Sequence, residues 1–252
     1  MDSGQLTIGT DNPAFPPWFG GTPAKGSVWK ISDPASGQGF ESAVAYAVAD
    51  KLGFSKAEVK WVVVPFDQSF KPGSKSFDFD LNQISYTPQR AKSVDLSDSY
   101  YNVNQALVAI KGTPITKATA IDLVKPFKLG VQIGTTSYDY VKNNIQPHQK
   151  PAVYSNSNDV NSGLKSHGVQ GIVTDLPTAY YITGAEQVPN SVIVGQFPTE
   201  GGTPEHFGLV LAKDSALTPC VNQALSDLKA AGTLANIQRE WLSTKTSVST
   251  LR

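Results

Sequence analysis

Cysteine is almost absent. Cys220 is the one cysteine in 252 residues, which excludes an internal disulfide and any cysteine-based zinc cluster. Histidine is nearly as scarce. His148, His167 and His206 are scattered, with no pair at i, i+4 spacing, so they do not suggest a metal site. An excess of one charge is missing too. Lys+Arg and Asp+Glu are both 21, for a formal net charge of zero. A nucleic-acid binder should carry a basic stripe and a membrane-surface protein a polybasic segment, so the balance argues against both. No apolar run reaches the roughly 18 residues that a membrane helix needs. No internal repeat and no low-complexity segment is present.

Charged residues make up 17% of the chain, below the roughly 25% usual for soluble domains. Hydrophobic residues reach 40%, far from the composition of a disordered chain. A chain of 26.9 kDa is one large domain or two small ones, and it buries a core without metal or disulfide staples. Met1-Asp2-Ser3-Gly4 reads as a start placed after a removed targeting segment.

Short apolar strands alternate with helical patterns, the signature of an α/β chain in two lobes. Residues 6–10 are strand-like and run into the turn-rich Asp11-Asn12-Pro13. A loop rich in Gly, Pro and Ser follows to about Gln38, and it holds a tryptophan, Trp29, of no evident purpose. Phe40, Val44, Val48 and Leu52 recur every four residues as one helix face, with Gly53 as its stop. Strands are predicted at 59–64, 77–85, 106–110, 129–133 and 171–174. Helices are predicted after Gly134 and over 179–182. Thr218 reads as the N-cap of a C-terminal helix with Pro219 in its first turn, and Thr233 as the cap of the next. Cys220 reads as a small buried residue, and the tail after Ser243 as frayed.

Four segments stand out chemically. Asp11, Phe15 and Trp18 follow a strand, the end where ligands bind in open α/β sheets; an aromatic beside a carboxylate suits a ligand with a planar or cationic part. A proline-rich loop packed by its own aromatics is the plainer alternative. Residues 83–90 follow a strand and bring small hydroxyls and Arg90 to a turn, which suits a bidentate carboxylate site; an ordinary surface arginine is the alternative. Gly134-Thr135-Thr136-Ser137 opens a helix whose backbone donors favour an anion, although the Gly-Lys-Ser/Thr ending of a phosphate loop is missing. Asp175 ends a strand before a proline, either as a helix N-cap or as an acceptor for an ammonium group. Together they supply donors for a carboxylate, an acceptor for an ammonium and an aromatic wall, the set that holds a free α-amino acid.

The same residues carry a family resemblance. Gly9-Thr10-Asp11 and Pro16-Pro17 open it, followed by Gly39-Phe40-Glu41 and Phe77-Asp78. The most specific string is Thr87-Pro88-Gln89-Arg90-Ala91-Lys92, then Val94-Asp95-Leu96-Ser97-Asp98-Ser99-Tyr100-Tyr101. Val131-Gln132-Ile133-Gly134-Thr135-Thr136-Ser137, Thr174-Asp175-Leu176-Pro177 and Gly232-Thr233-Leu234 with Trp241 complete it over roughly the whole chain. The chain resembles the extracytoplasmic solute-binding proteins of polar amino acid ABC transporters, family 3, and several segments are similar to the actinobacterial branch.

The resemblance implies a type II periplasmic-binding-protein fold: two α/β lobes, two hinge strands and a ligand cleft between the lobes. Lobe 1 would be 1–99 with 208–252, lobe 2 105–202, and the hinges 100–104 and 203–207. Arg90 would clamp the ligand α-carboxylate, helped by the backbone amides of Ser85 and Thr136. Asp175 would take the α-amino group with help from Gln83. Phe15 would stack on the ligand side chain with Phe66 opposite, in competition with Phe70. Asp11 and Gln132 would read the side-chain tip, which favours cationic or amide side chains. The implied protein is no enzyme, needs no cofactor or metal, works as a monomer and delivers its ligand to a membrane permease from the periplasm or a lipid anchor. A cyclohexadienyl-dehydratase-like enzyme with a general acid at Glu205, His206 or Asp80, or the sensing domain of a receptor, are the alternatives. One departure from the family pattern is Asp80, in a strand end that is usually small and apolar, where a buried carboxylate without a partner is costly.

Overall fold

The computed structural model describes residues 4–199, 205–242 and 248–251. The chain forms two compact units, 1–102 with 206–244 and 103–205 with 245–252. Alternation of short strands and helices builds both, as the hydrophobic pattern requires.

In unit 1 the chain runs through β1 (Leu6–Thr10), α1 (Phe40–Lys51), β2 (Val59–Val63), a short α2 (Phe66–Ser69), β3 (Phe79–Asp80), β4 (Val94–Leu96) and β5 (Tyr101–Val103). It enters unit 2 there and builds β6 (Gln105–Ile110), β7 (Leu129–Gln132), α3 (Thr136–Tyr140), β8 (Ala152–Tyr154), α4 (Ser157–Lys165), β9 (Gly171–Asp175), α5 (Leu176–Gly184) and β10 (Ser191–Gln196). It returns along β11 (Glu205–Phe207), which pairs with β5, and closes unit 1 with β12 (Val210–Ala212), α6 (Thr218–Ala230) and α7 (Thr233–Trp241).

The sheet of unit 1 has the order β2-β1-β3-β12-β4. β1 runs parallel to β2 and β3, and β12 runs antiparallel to β3 and β4. Phe40, Val44 and Val48 of α1 are fully buried, the face that the four-residue spacing predicts. Gly53 follows in the left-handed conformation (φ 89°) that ends a helix. Trp18 is core rather than rim, edge-on to Phe40, Tyr101 and Phe207. Trp29 is buried as well.

The sheet of unit 2 has the order β10-β6-β9-β7-β8. β7 is parallel to β8 and β9, whereas β6 is antiparallel to both β9 and β10. Leu107, Leu129, Val131 and Val173 form the core on one face, and Ala106, Val108, Ile172 and Ala179 on the other.

Four sequence expectations change. The strand expected over 77–85 shrinks to β3, because the chain turns through the left-handed region at Gln83 (φ 49°). Cys220 is exposed on α6. Each C-terminal helix starts one residue off the expected cap: Leu217 and Gly232 take the N-cap positions, and the Thr218 hydroxyl instead donates to Asp95 at 2.8 Å. The tail also departs from lobe 1. Residues 203–204 and 243–247 lie outside the described residues, but 248–251 pack on unit 2. The Gln196 amide donates to Ser249 O at 2.9 Å, and the Leu251 amide donates to Gln196 O at 2.9 Å. Leu251 enters the core there, over the space left by the missing side chain of Gly195.

Leu251→Ala should therefore destabilise unit 2 by about 2–5 kcal/mol, as for other large-to-small core changes. Urea unfolding checks this, and an unchanged midpoint would return the tail to a frayed state.

Candidate functional site

The carboxyl end of the unit 1 sheet gathers most of the singled-out residues. Asp11 follows β1 directly. Its Oδ1 accepts the Asn12 N–H at 2.7 Å, and its carboxylate also takes the Phe66 N–H. Burial pushes the Asp11 carboxyl above its ordinary value, opposed by these two donors. Part of its acceptor capacity thus holds the chain at the start of α2. Phe15 is half-buried in the next loop, where its carbonyl accepts the Phe19 N–H at 2.9 Å.

Arg90 is only 8% exposed. Its guanidinium lies 4.3 Å from the Phe70 ring centroid and 5.5 Å from that of Phe66, so both phenylalanines pack on the arginine. Nη1 donates to the Ser85 carbonyl at 2.6 Å, and the backbone N–H donates to Thr87 Oγ1 at 3.1 Å. Aromatic rings packed against a guanidinium leave its N–H edge for hydrogen bonds, the direction a carboxylate fork needs. Ser85 is buried opposite Phe207.

Gln83 is committed to Glu41, a residue that sequence reasoning left without a role. The Gln83 N–H donates to Glu41 Oε1 at 2.6 Å, and its side-chain amide donates to Oε2. The Tyr100 hydroxyl donates to Oε1 as well. Glu41 is fully buried in the first turn of α1, and burial pushes its carboxyl up to about 7 against the pull of these donors. Asp80 is also fully buried, and neither carboxyl oxygen has a hydrogen-bond partner. Burial first, then the charges of Glu41 and Asp11, push its carboxyl well above the usual range.

In unit 2, Gln105 joins the expected residues and was also missed. It is buried at the start of β6. Its Nε2 lies 2.8 Å from Glu205 Oε2, 3.1 Å from Asp175 Oδ1 and 3.4 Å from Thr136 Oγ1. An amide NH₂ has two hydrogens, so the two carboxylates are its better acceptors. Its Oε1 accepts the Ser137 hydroxyl at 2.6 Å, and the Thr136 hydroxyl donates to Glu205. Asp175 occupies the N-cap position of α5 but makes no side-chain capping bond. Two carboxylates thus converge on one amide. Gln132 ends β7, and its Oε1 accepts the Ser157 hydroxyl at the start of α4, 2.7 Å away. Unit 1 thus assembles Asp11, Phe66, Gln83, Ser85 and Arg90, with Phe15 shown in contact only with Phe19, and unit 2 assembles Thr136 and Asp175, with Gln132 tied to α4. Glu41 stood only within the matched Gly39-Phe40-Glu41, Glu205 only as a general acid of the dehydratase alternative, and Gln105 carried no signal, since burial and convergence arise from distant segments. Among the described residues no cluster of His, Cys, Asp or Glu could hold a metal ion, and no helix is long and apolar enough to cross a membrane.

Glu41 and Asp80 bear on stability. Their folded-state carboxyls are raised, so the native protein keeps protons that the unfolded chain releases above about pH 4. Stability from this pair is present at low pH and is lost as pH rises through about 7, the value for Glu41. Asp95, held low chiefly by the Thr218 hydroxyl against a burial penalty, acts oppositely but only at more acid pH. The melting temperature of ligand-free protein should fall from pH 5 to pH 8, as read by calorimetry; a rise over that window would contradict the buried pair.

The chain is similar to several known proteins. In sequence, the arginine-binding extracellular protein ArtP of Bacillus subtilis (strain 168) is 27% identical over 207 residues, covering 81% of this chain and 77% of ArtP. The ABC transporter glutamine-binding protein GlnH of the same organism is 27% identical over 219 residues, covering 84% of this chain and 76% of GlnH. In structure, an ancestral arginine-binding protein bound to arginine superposes with a TM-score of 0.76 at 29% identity, covering 96% of this chain and all of that one. A family model, the bacterial extracellular solute-binding proteins, family 3, matches residues 6–244. With that match spanning nearly every element described above, the chain belongs to the bacterial extracellular solute-binding proteins of family 3.

Proposed function

We propose that this protein binds a free amino acid with a cationic or amide side chain, arginine foremost, and delivers it to the membrane permease of an ABC importer. Arg90, helped by the Ser85 and Thr136 amides, takes the α-carboxylate. Asp175, with Glu205 beside it on Gln105, takes the α-ammonium. Asp11 meets the side-chain tip, with Gln132 on the unit 2 side and the rings of Phe15 and Phe66 along the stem. The observation that carries the reading is Asp175. A carboxylate at a helix N-cap that does not cap its helix, and converges with a second carboxylate on a buried amide, is arranged for a cationic ligand group. The Asp11 carboxyl of unit 1, at the place given to the side-chain tip, disfavours acidic side chains. The names of ArtP and of the ancestral arginine-binding protein support arginine, and GlnH is named for glutamine, an amide of the same proposed class.

Each unit holds one half of the contacts. A ligand that touches both halves stabilises the form in which both are made, and capture follows by population shift toward that form. The permease then reads that form. The protein acts as a monomer outside the cytoplasm and performs no chemistry on its ligand.

A thermal-shift screen of ligand-stripped protein with the twenty amino acids tests the reading. A ligand at 100 times its dissociation constant stabilises by about 2.7 kcal/mol, so arginine should raise the melting temperature clearly and glutamate should not. No shift with any amino acid would overturn the function.

Two substitutions test the roles. Arg90→Ala is a poor choice, because the buried guanidinium also packs on Phe66 and Phe70. Arg90→Lys keeps the charge but loses the fork and should weaken arginine binding at least tenfold, or about 1.4 kcal/mol. Asp175→Asn should do the same with little effect on melting. Affinities within threefold of the parent by titration calorimetry would remove these residues from the site.

A further inference from the structure

Three carboxyl groups meet in unit 1: Asp11 just past β1, Glu41 in the first turn of α1 and Asp80 at the end of β3. Asp80 is the anomaly. It pairs with Gly9 on β1 and with Val210 on β12, inside a face otherwise filled by Val64, Phe77, Ile84 and Val210. It is fully buried, and both its oxygens lack hydrogen-bond partners, as does the nearby buried hydroxyl of Thr10. Room for the carboxyl comes from Gly9, where a Cβ would collide with Asp80 Oδ2. An aliphatic side chain would fill that face without electrostatic cost, so a carboxyl there calls for a physical account.

The charged groups facing it narrow the account. Asp11 comes from the β1 side, Glu41 from α1 and Lys75 from the segment before β3. The neighbouring β12 contributes only Val210, and the β2 side Val64. Lys75 is partly exposed, with its side chain on the Phe77 ring. Glu41 in turn faces Tyr100, Gln83 and Asp80. Three carboxylates beside one partly exposed ammonium cannot all be ionised in a dry interior. Protons on the buried pair relieve that repulsion when no ligand is present. A guanidinium or ammonium group at Asp11 relieves it in another way.

We propose that unit 1 exchanges a proton for the cationic side chain of its ligand, with Asp80, backed by Glu41, as the group that gives the proton up. The Asp80 O–H bond breaks, its electron pair stays on the carboxylate and the proton leaves to solvent as the ligand cation enters. Charge is conserved within the site. Asp80 then acts as a specificity determinant, because a neutral amide side chain brings no charge to release the proton. Binding of a cation tightens as pH rises, whereas binding of glutamine is indifferent to pH. The inference rests on the cationic-ligand reading above.

Titration calorimetry tests it on the intact chain, with L-arginine and L-glutamine as probes, in phosphate and in ACES buffers. Arginine affinity should rise at least about fivefold between pH 5.5 and pH 7.5, with a binding heat that depends on the buffer because a proton is released. Asp80→Asn should bind arginine with little pH dependence and no buffer-dependent heat. Infrared spectroscopy gives a second readout without a variant: a protonated-carboxyl band in the ligand-free protein should shrink when arginine is added. Arginine binding that is independent of pH and buffer would overturn the proton exchange while leaving the amino acid reading intact. Proton release that persists in Asp80→Asn would overturn the assignment to Asp80. Failure of every cationic amino acid to bind would overturn the cationic-ligand reading, and this inference with it.

Discussion

Glu41 sits in the first turn of α1 without contact with solvent, and a carboxyl group in that position has to find donors or keep its proton. It finds three: the Gln83 backbone, the Gln83 side chain and the Tyr100 hydroxyl. These donors come from the loop after β3 and from the approach to β5, so one buried group ties three parts of unit 1 together. The left-handed conformation of Gln83 is uncommon for a residue with a side chain, and the two bonds to Glu41 hold it there. That turn ends β3 early and directs the chain through Ser85 toward Arg90. The arginine's position against the Phe66–Phe70 pair therefore depends on a carboxyl group that belongs to a helix packed elsewhere on the sheet.

Unit 2 solves a similar problem with a neutral group. Gln105 carries no charge, yet it presents its NH₂ to Asp175 and Glu205 and its carbonyl oxygen to Ser137. The amide holds two carboxylates near each other. The two units thus differ in how they store negative charge. Unit 1 buries it and raises the carboxyls, whereas unit 2 keeps it half-exposed on a strand end.

Much of this was legible from sequence. The face of α1 followed from Phe40, Val44 and Val48 at a spacing of four. The strand ends that carry Asp11 and Asp175 followed from apolar runs stopped by turn residues. Asp80 stood out as a carboxylate in a strand, with its cost anticipated. The extent of β3 did not follow, because the apolar and polar residues after Asp80 alternate as a strand would while a tertiary bond at Gln83 turns the chain away. Cys220 on α6 was misread because helix periodicity places a residue on a face only when the neighbours that cover that face are known. The tail was misread for the same reason: Leu251 becomes core through the gap above Gly195, which no local pattern announces.

Local chemistry in the sequence determined the α/β alternation, the helix faces, the turns at strand ends and the types of group available to a ligand. These depend on neighbours within a few residues, so periodicity and turn residues suffice to read them. The tertiary structure alone decided which carboxyl groups are buried, which donors meet them and how far their protons are held. Glu41 meets Gln83 across 42 residues and Gln105 meets Glu205 across 100. Desolvation and partnership are properties of those long-range meetings, and a carboxylate's charge is set by them rather than by its place in the chain.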